Sequence, residues 1–151
     1  MPENEALALM AAVEQLSEHP IAHAVVEGAK ARNLVLQPAK GFEVVNGLGV
    51  QAEISARKIL VGNRDFLKKH DIDTRQWETQ AETLRAQAKT VVFLGVDGVA
   101  IAIAAVADPI KDSTPEAIAE LKRSGVRIVM LTGDSRRTAE AVAQQLGIDE
   151  A

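Results

Sequence analysis

Ser17-Glu18-His19-Pro20 sets an imidazole at a corner directly before a proline, where the ring can stack on a flat base and make one hydrogen bond at its edge. The same histidine can equally be a surface or helix-capping residue. His23 lies four positions on, but Pro20 interrupts the regular helix between the two rings and no third ligand follows at suitable spacing, so a metal pair is disfavoured. Gly47 and Gly49 flank Leu48 between apolar runs, where missing side chains let backbone amides approach a ligand or simply form a hairpin bulge. Gly62-Asn63 sits where a strand runs into a helix. Asn63 is there either an N-cap or a group reaching a ligand over the strand ends. Thr132-Gly133-Asp134 follows an apolar run and precedes a helix, a place where unpaired N–H groups favour an anion and where Asp134 can also be only a cap. Taken together these groups describe a pocket for a flat polar ring carrying phosphates.

The elements that must hold them follow from periodicity. Leu7, Met10, Ala11, Ala12 and Val13 recur at helical spacing, and a second helical pattern runs from Pro20 through Ile21, Val25, Val26 and Ala29. A residue before proline is pushed out of the helical region, so the chain must bend at Ser17 to His19. From Gly41 to Gly62 the period changes: Phe42 and Val44, then Val50, Ala52 and Ile54, then Ile59 to Val61 predict short strands joined by tight turns. A helix is predicted to start near Asn63, and another over 74–88 with Trp77, Ala81, Leu84 and Ala88 as its apolar stripe. Val91 to Leu94 and Val99 to Val106, joined by Asp97-Gly98, predict a hairpin.

The character changes at Asp108-Pro109. Ser113-Thr114-Pro115-Glu116 reads as a capping box, Gly125 as a helix end, Val126 to Leu131 as a buried strand, and Ser135 as the start of another helix. The expected fold is therefore α+β: an antiparallel sheet flanked by helices over 1–107, then an incomplete α/β fragment over 108–151.

Composition narrows the functions. With 151 residues, 47% hydrophobic and 25% charged, the chain can bury a core. A net charge of −4 with scattered basic residues argues against nucleic acid as partner. The absence of cysteine removes disulfides, thiolate metal sites and cysteine nucleophiles together. The longest apolar run, Gly98 to Ala107, is about half of what a membrane-spanning helix requires.

In order and spacing, Ser17-Glu18-His19-Pro20, Gly47-Leu48-Gly49, Gly62-Asn63, Asp108-Pro109-Ile110-Lys111 and Met130-Leu131-Thr132-Gly133-Asp134 resemble the heavy-metal branch of the P-type ATPases, from about Glu14 to Ile148. The resemblance implies a nucleotide-binding domain followed by a partial, haloacid dehalogenase-like phosphorylation domain. It implies that Glu14 reaches the adenine amino group, His19 lies against the ring, Gly47 and Gly49 face the phosphates, Val50 packs beside the adenine, and Gly62 and Asn63 complete the pocket. Thr132, Gly133 and Asp134 would correspond to a phosphate-handling motif of the catalytic apparatus. The phosphorylated aspartate of such pumps, in Asp-Lys-Thr-Gly-Thr, would lie before Met1 and the magnesium-binding Gly-Asp-Gly segment after Ala151. The implied cofactors are thus ATP and, in the parent protein, Mg2+, and the implied partners are ATP or ADP and the remaining domains of the pump. The chain itself is expected to bind ATP without turning it over, at the cytoplasmic face of a membrane. Gly62-Asn63 resembles the copper-type members more than the zinc and cadmium pumps, so the resemblance implies copper(I) as cargo, with a zinc or cadmium pump as the alternative. A phosphatase of the haloacid dehalogenase class and a nonenzymatic interaction module remain as alternatives.

Overall fold

The computed structural model describes residues 1–107, 113–131 and 136–148. The chain divides into two compact units, Met1–Thr79 with Val91–Val106, and Gln80–Thr90 with Ala107–Ala151.

The first unit is built on a five-stranded sheet in the order β1 (Lys40–Val45), β2 (Gly49–Ile54), β3 (Arg57–Gly62), β4 (Thr90–Val96), β5 (Val99–Val106). The pairs β1–β2, β2–β3 and β3–β4 are antiparallel. Helices α1 (Glu3–Glu14) and α2 (Pro20–Ala31) pack on each other, α1 also against β2, β3 and β5. The strand alternation predicted over 50–54 appears as burial of Val50, Ala52 and Ile54, with Glu53 pointing to solvent. In β3 and β4 the alternation vanishes because both faces are covered. Ile59, Val61, Val92, Leu94 and Val96 join α1 and α2 in one core, whereas Leu60 pairs across with Gly95 on the other face. There a Cβ on Gly95 would meet Ile72 and Leu67, which places the segment from α3 (Arg64–Lys69) to Ile72 over that face. In α1, Ala11 and Ala12 are buried together with Met10 and Val13, small side chains that let α2 and the sheet approach the helix closely.

Two turns use the same backbone with different legibility. Asp97 and Gly98 both have positive φ, as their sequence predicts. Ser55 and Ala56 also both have positive φ, between β2 and β3, with no residue type that signals it. The helix predicted over 74–88 is α4 (Arg75–Arg85) and ends earlier, since Ala88 has a φ of 58°.

In the second unit α5 (Thr114–Arg123) and α6 (Arg136–Leu146) pack together, with Ala139 and Ala143 buried and the Lys122 ammonium donating to the Gly147 carbonyl. Two expectations are corrected here. Ser113 precedes α5 in a helical conformation and its side chain makes no capping bond, so the capping box does not form. Over 126–131 there is only an isolated bridge at Val129, not a buried strand, and Val126, Val129 and Leu131 are exposed. An apolar segment becomes a strand only when a neighbour satisfies its N–H and C=O groups, and none of the described residues offers a ladder there.

Candidate functional site

The first cluster is the corner between α1 and α2. Glu14 closes α1, and its carbonyl accepts the Ser17 N–H at 2.8 Å. The Ser17 hydroxyl oxygen then accepts the His19 N–H at 3.2 Å, and His19 Nδ1 accepts the Ile21 N–H at 3.2 Å. His19 is thus the N-cap of α2, with Pro20 in the first turn where the missing N–H costs nothing. The cap also has a chemical consequence. With Nδ1 held as an acceptor, the neutral imidazole carries its proton on Nε2, which is left as a donor.

Glu14 is the outlier in this corner. Its side chain is buried at 6% exposure, and among the described residues no hydrogen bond or ion pair reaches its carboxylate. Burial pushes its carboxyl from 4.5 up to about 7, because the charged form loses its hydration without a compensating donor. Such a carboxylate accepts any donor that a ligand brings.

The second cluster is the glycine turn. Asn46-Gly47-Leu48 joins β1 to β2, closed by Leu48 N–H to the Val45 carbonyl at 3.0 Å. Gly47 has a φ of 71°, where an L side chain is strained, and a Cβ there would meet nothing within 4 Å, so its α-carbon faces open space. Gly49 and Gly62 behave differently. They are cross-strand partners, and a Cβ on either would come within 2.6 to 2.7 Å of the Phe66 ring. Backbone closes the same space, since a Cβ on Gly49 would run into the Val61 carbonyl oxygen and one on Gly62 would lie 2.5 Å from that of Leu48, so both are bare because main chain and ring together fill the notch. Val50 faces the core at 5% exposure, paired with Val61. Asn63 caps α3, its Oδ1 accepting the Phe66 N–H at 2.9 Å, while its Nδ2 donates to the Gly47 carbonyl at 3.0 Å.

The sequence-predicted residues therefore fall into two groups. Glu14 and His19 share the helical corner, and Gly47, Gly49, Val50, Gly62 and Asn63 share the turn at the β1–β2 end of the sheet. Val13, next to Glu14, and Val50 lie in the same core cluster of the first unit. Thr132, Gly133 and Asp134 lie outside the described residues. The sequence pattern gives neither Ser17 nor Phe66 a role of its own at the site. A serine two residues before the histidine and an aromatic three after the capping asparagine were the available signals. Among the described residues no group of three or more His, Asp or Glu side chains gathers as a metal site, so no step through Mg2+ is assigned to them. Nor is any helix among them long and apolar enough to cross a membrane.

Comparison with known proteins identifies the family of the chain. Residues 3–151 match the family model described as "Hydrolase: haloacid dehalogenase-like hydrolase". The chain is 45% identical over 97% of its length to copper-transporting ATPase 2 of Rhizobium meliloti, covering 18% of that protein. It is 47% identical over 97% of its length to a copper-exporting P-type ATPase of Legionella pneumophila, covering 20% of it. It thus spans about a fifth of the length of the curated relatives it matches. Among solved structures, a zinc-transporting PIB-type ATPase in its E2.Pi state matches all of this chain over 24% of its own, at 30% identity and a TM-score of 0.75. The N-domain of HMA8, a copper-transporting P-type ATPase, matches 72% of this chain over 92% of its own, at 32% identity and a TM-score of 0.60.

Proposed function

The chain belongs to the haloacid dehalogenase-like hydrolases, and from that premise we propose that it binds ATP as a cytosolic part of a metal-transporting P-type ATPase. Residues 1–107 are the nucleotide-binding domain in this reading, and 108–151 part of the phosphorylation domain. The observation that carries it is Glu14: a buried carboxylate with no partner among the described residues, five residues before a histidine whose ring is fixed by its own corner. An adenine supplies what both lack. Its exocyclic amino group donates to Glu14, and its ring offers a face to the His19 imidazole, whose Nε2–H remains free to donate at the edge. The open α-carbon of Gly47 gives the phosphates room beside the turn, framed by Gly49, Gly62 and Asn63, with Val50 assigned beside the adenine. Thr132, Gly133 and Asp134 are assigned to the phosphate-handling motif of the second domain, with Mg2+ a cofactor of the whole pump.

In the parent the bound nucleotide would be brought to a phosphorylatable aspartate, and hydrolysis would be coupled to moving the ion. Copper(I) is the proposed cargo, supported by the names of the curated relatives. The zinc-transporting neighbour supports the alternative.

The test is base selectivity by titration calorimetry on the 151-residue chain. Guanine presents a carbonyl where adenine has its amino group, so an unpaired carboxylate should favour ATP over GTP by about tenfold or more, the worth of one charge-assisted hydrogen bond. Glu14→Gln, whose amide can rotate to accept or donate, should erase most of that preference. Equal affinity for ATP and GTP, or none for either, would refute the assignment.

A further inference from the structure

Asn63 spends both ends of its side-chain amide inside the fold. Its Oδ1 holds the Phe66 N–H and its Nδ2 holds the Gly47 carbonyl, while its main-chain N–H donates to the Leu48 carbonyl at 2.8 Å. One residue thus ties the start of α3 to the middle of the β1–β2 turn. Phe66, in the same first turn of α3, is fully buried in the notch between Gly49 and Gly62, and its ring meets the His70 ring edge-on at 5.1 Å. The two contacts act from opposite ends. Asn63 pulls the turn down onto the helix, and Phe66 fixes where the helix sits on the strands that carry the turn. Gly47 alone keeps an open side.

We propose that Asn63 and Phe66 are positioning residues: they hold the Asn46-Gly47-Leu48 turn in the form that receives the nucleotide, and the ligand meets Gly47 rather than Asn63. This rests on the ATP reading above. It differs from that reading in what Asn63 does, since a clamp acts in the empty protein, whereas a ligand contact acts only when nucleotide is bound. Gly49 and Gly62 fit this arrangement, because a methyl on either would collide with the Phe66 ring as well as with the backbone of the facing segment.

The test compares Asn63→Ser and Phe66→Leu with wild type in the full chain, by amide exchange without ligand and by ATP calorimetry. Serine can still cap α3 but is too short to reach Gly47 and introduces no charge. Asn63→Ser should keep the Phe66 amide protected, strip protection from the Leu48 amide, and weaken ATP binding at least fivefold, since apparent affinity scales with the fraction of molecules whose turn is closed. Phe66→Leu, which removes no polar group, should expose the Leu48 amide and weaken ATP in the same way. Ile54→Ala, a cavity in the core away from the turn, should lower the melting temperature and leave both readouts in place. Weaker binding with Leu48 still protected would make Asn63 a direct contact and overturn the proposal. Lost protection with unchanged affinity, or no change in either, would overturn it too. Absence of ATP binding by wild type would instead refute the ATP reading on which the proposal rests, and the proposal with it.

Discussion

Glu14→Gln should make the protein more stable, and only above about pH 5. Glu14 is buried with no partner among the described residues, and burial pushes its carboxyl from 4.5 up to about 7. For an acid raised in this direction the fold prefers the protonated form. The stability this lends is fully present below 4.5 and is lost as pH rises through 7, because the unfolded chain ionises first and the folded one resists. A shift from 4.5 to about 7 corresponds to roughly 3 kcal/mol between pH 4.5 and pH 8, at about 1.4 kcal/mol per unit. Glutamine has nearly the same shape and never ionises, so its variant loses this dependence. Relative to wild type it should be close to neutral at pH 5 and about 3 kcal/mol more stable at pH 8, or about 10 °C in melting temperature for a chain of this size. Urea unfolding at several pH values, followed by the fluorescence of Trp77, reads this directly. Trp77 is the only tryptophan, and its indole N–H is bonded to the Ala100 carbonyl at 3.1 Å within the first unit. Parallel stability curves for the two proteins from pH 5 to pH 8 would show that Glu14 is hydrated or paired, and the burial argument would fail.

Three further outcomes are expected. ATP binding should release protons near pH 7, since a ligand donor at Glu14 favours the carboxylate; calorimetry in two buffers of different ionisation enthalpy should give different heats, and identical heats would count against the contact. His19→Ala should weaken ATP binding about tenfold while costing about 1 kcal/mol of stability through the lost cap on α2; unchanged affinity in the folded variant would remove His19 from the site. Gly49→Ala should destabilise by more than about 2 kcal/mol because its methyl enters the Phe66 ring and the Val61 carbonyl, whereas Ala56→Gly should stabilise by about 1 kcal/mol by relieving a φ of 61°; denaturant midpoints of both variants check the contrast.

The bend, the strand faces and one hairpin turn were legible because their constraints are local. Pro20 forces the bend at His19, the alternation over 50–54 fixes which side chains enter the core, and Asp97-Gly98 dictates its own turn. Other features depended on neighbours distant in sequence. Ser55 and Ala56 adopt the left-handed turn with no preference for it, because strand pairing from Gly49–Gly62 to Ile54–Arg57 leaves two residues to reverse the chain. Gly49 and Gly62 looked like places for a ligand, and only the packing of the Phe66 ring and of the facing backbone carbonyls of Val61 and Leu48 shows what keeps them bare. Val126 to Leu131 has the composition of a buried strand and forms none, since composition supplies the wish to be buried but a partner must supply the ladder. The sequence by itself determined the helical corner, the strand periods and the kinds of group available for binding. Tertiary structure alone decided that Glu14 would be buried with no partner among the described residues, because desolvation of a carboxylate is set by everything packed around it and by nothing in its own segment.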